Sequence, residues 1–130
     1  MANQALEPLL EKEPNRISYA VTKAEILTTQ NEAGLAVKFL ERYQTINPGN
    51  HPLTMAYADA LVESRRYQEA ADILEDHVRT RPEDYSIWYL IAEIQGQAGN
   101  ISKVHQARAE YYVLVGDFRR AHQQLQFALT

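Results

Sequence analysis

Residues 51–84 read HPLTMAYADALVESRRYQEAADILEDHVRTRPED, and the fold follows from this stretch. Two runs with apolar residues at helical spacing, 51–64 and 67–80, flank a polar turn around Arg65 and Arg66. Pro82 then closes the unit, since the residue before a proline is pushed out of the helical region. Pro14, Pro48 and Pro82 lie 34 residues apart, twice in succession, each after a polar stretch that ends an apolar-periodic run. The chain is therefore a series of helix pairs on a fixed clock.

Thirty-four residues is the period of the tetratricopeptide repeat, a pair of antiparallel helices, and the chain resembles that family over nearly its whole length. In that pattern small residues fall where the two helices of a repeat approach most closely. Ala24, Ala58 and Ala92 occupy these places on first helices, and Ala36 and Ala70 on second helices, with Leu40 and Leu74 one turn further on. Trp88-x-x-Ile91-Ala92 matches the family's tryptophan signature. The resemblance implies an all-α fold, a right-handed α-solenoid of about eight antiparallel helices. These are expected near 2–13, 17–30, 33–46, 51–64, 67–80, 85–98, 101–115 and 117–129.

The chain is read as a single domain 1–130, with a half repeat at 1–16, full repeats at 17–50 and 51–84, and a helix at 85–98. The final unit, 101–130, is shifted in phase by half a repeat. Continuing the clock would put Arg108 at an apolar place, whereas restarting at Ser102 puts Ala109, Ala121, Leu125 and Ala128 at the family's core places. The helix near 101–115 then serves both as second helix to 85–98 and as first helix to the last. Gly99-Asn100 and Gly116-Asp117 are the turns. Lys23 stands where the family prefers an apolar residue, which predicts that the first full repeat is loosely packed or met by a missing helix. Ala2, Leu6 and Leu9 fit a second helix without its first, so the chain is expected to be a piece of a longer protein.

The composition bounds the chemistry. Of 130 residues 45% are hydrophobic and 23% charged, ordinary for a folded globular chain. A net charge of −4 argues against nucleic acid or an anionic membrane surface as partner. The longest apolar run, 87–92, is too short to insert into a bilayer, and no apolar segment near Met1 reads as a signal peptide. With no cysteine there is no thiolate nucleophile or sulfur-ligated metal. No H-E-x-x-H occurs: His51, His77, His105 and His122 are followed by Pro, Val, Gln and Gln. His77 takes a place normally small and buried, and reads as a packed structural histidine. No catalytic residue, metal ligand or cofactor site is assigned, and the chain is read as non-catalytic by itself.

In this family the concave face, built mostly from first helices, takes ligands. The residues carried over to it are Val21, Glu25, Met55, Asp59, Glu63, Tyr89, Glu93, Glu110 and Val113. One place recurs as acid in every unit: Glu25, Asp59, Glu93 and Glu110. Co-chaperone members grip terminal carboxylates there with Lys and Asn, and this chain departs at each of those places. An acidic ladder repels a carboxylate and suits a basic or neutral extended segment, with Met55, Tyr89 and Val113 as apolar contacts. The alternative is that each acid pairs with a neighbouring Lys or Arg and the ladder is a solvated face.

The segment ARAEYYVLVGDFRRAHQQLQFA, residues 107–128, carries a narrower resemblance. It is similar to the C-terminal tail of bacterial M48-type zinc metalloproteases that maintain outer-membrane β-barrel assembly. The stretch 85–99, with its Trp and its A-G-N turn, is similar as well. That resemblance implies a periplasmic arm that engages barrel-assembly machinery or unfolded barrel precursors. Zinc is then expected only in a separate catalytic domain of the parent. The alternatives are a free-standing scaffold without an enzyme, or an oligomerisation element associating through exposed end helices.

Overall fold

The computed structural model describes residues 17–129, and all secondary structure among them is helical. The helices are α1 (Ile17–Thr29), α2 (Ala33–Ile46), α3 (His51–Glu63), α4 (Tyr67–Val78), α5 (Tyr85–Gln97), α6 (Ile101–Leu114) and α7 (Phe118–Leu129). Each lies within two residues of its expected bounds. The helix expected at 2–13, with Ala2, Leu6, Leu9 and Pro14, lies outside the described residues.

The 34-residue clock is written into the backbone as well as the side chains. Asn31, Arg65 and Gly99 follow α1, α3 and α5 at that spacing, with φ of 63°, 62° and 84°. Gly116, with φ of 82°, follows α6 half a period later. Each left-handed residue lets two amides fold back onto the last turn and satisfy carbonyls the helix leaves open. Arg65 N donates to Val62 O (2.9 Å) and Arg66 N to Leu61 O (2.8 Å). The same pair recurs at Gly99 and Asn100 and at Gly116 and Asp117. At the helix starts, Asn50 Oδ1 accepts from Leu53 N (3.0 Å) and Asp117 Oδ1 from Arg120 N (3.1 Å). Asp84 accepts from both the amide and the hydroxyl of Ser86, and these bonds hold its carboxyl below the usual range.

The helices group into two compact units, the first ending at Arg66 and the second beginning at Tyr67. In the first, α1 packs on α2 and on α3, and α2 packs on α3. Ala20, Ala36, Leu40, Leu53, Ala58 and Leu61 are wholly buried. Lys23 has a partner within this unit. Its ammonium lies 4.7 Å from the centroid of Phe39 on α2, so the ring supplies a cation–π partner. Partial burial lowers its pKa.

In the second unit α4 packs on α5, α5 on α6 and α6 on α7. The core holds Leu74, Ile87, Ile91, Ala107 and Ala109 together with His77, which is buried as expected. It also holds a wholly buried Gln95. Gln95 Nε2 donates to Glu75 Oε1 on α4 (2.7 Å), and Gln95 Oε1 accepts from Asn100 Nδ2 (2.8 Å). Asn100 Nδ2 also reaches Gln68 Oε1 (2.7 Å). On α7, Ala121 is buried as the shifted phase requires, but Leu125 is 49% exposed. Among the described residues α7 has α6 as its packing partner, so its other flank stays in water.

Two substitutions should move stability in opposite directions. Ala58→Leu overfills a wholly buried site and should cost about 1–3 kcal/mol in urea denaturation. Arg65→Gly relieves a positive φ and should stabilise by about 0.5–1 kcal/mol, with the same unfolding slope.

Candidate protein-binding grooves

Helical spacing sets Val21 and Glu25 one turn apart on α1, and Met55, Asp59 and Glu63 in one row on α3. Because α1 packs directly on α3, the two rows face one hollow of about 330 Å³. Its lining includes Val21, Ala24, Glu25, Met55, Ala56 and Asp59. Four expected groove residues, Val21, Glu25, Met55 and Asp59, are therefore brought together here, and Glu63 continues the row one turn beyond Asp59.

The electrostatics of this hollow are one-sided. Desolvation raises the Asp59 pKa above its ordinary value, and the charges of Glu63 and Glu25 raise it further. The described ion pairs are Arg79–Asp76, Arg81–Asp84 and Arg120–Asp117, each three residues apart along the chain. None of them involves Glu25, Asp59, Glu63, Glu93 or Glu110.

In the second unit the expected residues are divided. Tyr89 and Glu93 of α5 face a cleft of about 120 Å³ with Ala92, Arg108, Tyr111 and Tyr112. Tyr111 is the hub of the rings: its centroid lies 6.0 Å from Tyr85, 5.7 Å from Tyr89 and 5.4 Å from Tyr112. The Arg120 guanidinium lies 5.9 Å from the Tyr112 centroid. Tyr85 and Tyr89 are each 54% exposed, so aromatic surface is open to a partner.

Glu110 faces a different hollow, of about 390 Å³, with Trp88, Ile91 and Lys103 in its lining. The physical reason is the helical turn. At about 100° per residue, Glu110 shares a face of α6 with Lys103 and Gln106, away from Arg108 and Tyr112. Val113 is exposed and lines neither space. Sequence reasoning assigned Trp88 to the repeat signature and did not place it at an open hollow. No three His, Asp or Glu among the described residues form a group fit to hold a metal ion. No described helix is long and apolar enough to cross a membrane.

Asp59→Asn tests the groove's field. The folded carboxyl binds its proton more tightly than the unfolded one, so its charged form weakens the fold at neutral pH. That penalty is relieved as pH falls through the raised pKa and is gone below the ordinary value of 3.8. The variant should therefore melt higher than the parent at about pH 7 and lose that advantage by about pH 3. Thermal melts followed by circular dichroism check this; an equal gain at both pH values would assign the effect to packing.

The sequence model described as tetratricopeptide repeat matches residues 27–94, just over half the chain. The beta-barrel assembly-enhancing protease of Escherichia coli (strain K12) is 31% identical over 120 residues, covering 92% of this chain and 24% of that protein. The protein of the same description from Yersinia pestis is 27% identical over 120 residues, covering 92% and 25%. The chain thus spans about a quarter of the length of these relatives. Among solved structures, MamA from Desulfovibrio magneticus RS-1 superposes with a TM-score of 0.75 at 16% identity, covering 98% of this chain and 82% of that one. A tetratricopeptide repeat protein from Parabacteroides merdae gives 0.64 at 12% identity, covering 98% and 56%. These likenesses show the α-solenoid fold. On the repeat match, the helix pairs and the buried small residues, the chain belongs to the tetratricopeptide-repeat family of protein-interaction domains.

Proposed function

We propose that this chain is the partner- and substrate-engaging arm of a periplasmic M48-type metalloprotease acting in outer-membrane protein assembly and quality control. In this reading zinc-dependent cleavage belongs to a separate domain of the parent, and this chain presents clients or anchors the enzyme to barrel-assembly machinery. The identity to proteins named for enhancing β-barrel assembly, over 92% of this chain, supports that setting.

The binding mode rests on one observation: an apolar floor of Val21, Ala24, Met55 and Ala56 beneath Glu25 and Asp59, with Glu63 adjacent, and no ion pair to these acids among the described residues. Such a groove suits a basic or neutral extended segment. The floor takes apolar side chains or methylene stems, and the rim repels acidic competitors. In the second unit Tyr89 and Glu93 offer the same pairing of apolar surface and carboxylate.

A photo-crosslinker at Met55 or Tyr89 in the full-length parent should capture barrel-assembly proteins or unfolded barrel precursors. Reversing Glu25, Asp59 and Glu93 to Lys should lower that capture by about tenfold with helicity unchanged. Unchanged capture would sink the acidic-groove reading, and capture of neither class would sink the barrel-assembly setting.

A further inference from the structure

We propose that the hollow framed by α4, α5 and α6 is a second docking site, built for an amphipathic helix of a partner protein. It goes beyond the groove reading above and does not rest on it. The hollow lies on other faces of α5 and α6 than the tyrosine cleft, and its volume is about 390 Å³. Buried Val78, Ile91 and Ala107 form the floor, and Pro82 with the half-buried Trp88 indole forms one wall. Trp88 Nε1 makes a long bond of 3.4 Å to Pro82 O, leaving the ring edge as wall and the indole N–H already engaged.

The rim charges name the occupant. Glu75 accepts from buried Gln95, and Arg79 pairs with Asp76, so both are engaged. Lys103 and Glu110 also line the hollow, in no described ion pair. They stand seven residues apart on one face of α6, about 10 Å along its axis. A charge of each sign two turns apart, with an apolar floor alongside, is the complement of another helix. An acid on the partner meets Lys103, a base two turns on meets Glu110, and the apolar residues between them enter beside Trp88 and Ile91. This is helix-in-groove recognition, read at i, i+3, i+4 and i+7. An extended strand covers about 10 Å in three residues, but residues three apart point to opposite faces of a strand, so one strand face does not present both charges at the rim spacing.

Trp88 is the only tryptophan, so the site carries its own reporter. The probe is a synthetic helical peptide with Glu, Leu, Leu and Lys at i, i+3, i+4 and i+7, titrated into the whole chain. Binding should shift Trp88 emission to the blue. Lys103→Glu with Glu110→Lys should weaken this peptide by about fivefold and strengthen one with Glu and Lys exchanged by a similar factor. Because both changes are at exposed side chains, unchanged circular dichroism separates a binding effect from misfolding. The proposal is overturned if Trp88 emission does not move, or if the parent chain binds both peptides equally. It is also overturned if a version broken by a central proline binds as tightly. Groove reversals at Glu25 and Asp59 should leave this titration unchanged, so failure of one site is distinguishable from failure of the other.

Discussion

Two helices approach most closely where the side chains between them are no larger than a methyl group, and the described helices bury a series of alanines. Ala20, Ala36, Ala58, Ala70 and Ala71 are wholly inaccessible to water, and Ala24, Ala92, Ala109 and Ala121 nearly so. Close approach lets the flanking Leu and Ile side chains interdigitate, which is where apolar burial stabilises the fold. It also fixes the face that each first helix turns away from its partner. Val21 and Glu25 reach the same hollow as Met55 and Asp59 because α1 rests directly on α3.

Much of this was legible in the sequence for a physical reason. Alanines at close contacts and prolines after second helices are demanded by the backbone, so they recur whatever surrounds them. Asn31 and Arg65 show the limit of that legibility. They take the left-handed place that Gly99 fills, Asn31 as a type that tolerates it and Arg65 as one that gives no sign of it. Features that depend on neighbours from other helices were not legible. The Phe39 ring that meets the Lys23 ammonium comes from another helix, and the exposure of Leu125 depends on which helices flank α7.

The same distinction runs through the candidate sites. Glu25 and Asp59 line one hollow because α1 and α3 are equivalent helices of successive repeats. Glu110 was carried over by analogy onto α6, where the register changes and its neighbours become Lys103 and Trp88. Charge thus has two characters in this chain. In one hollow carboxylates crowd together over an apolar floor; in the other a cation and an anion are spaced along a single helix.

Repetition brings a difficulty that the buried Gln95 resolves for its own unit. Alanine-on-leucine contacts are alike from one helix pair to the next, so apolar packing alone distinguishes poorly between a helix and its counterfeit, and repeat chains are prone to misassembly. Gln95 has both ends of its amide satisfied, by Glu75 on one side and Asn100 on the other. Sliding α5 by one turn against α4 would strand those polar atoms in an apolar interior, at a cost of about 1–3 kcal/mol for each. The network therefore acts as an address: it adds little net stability, but it makes one neighbour right and the others wrong.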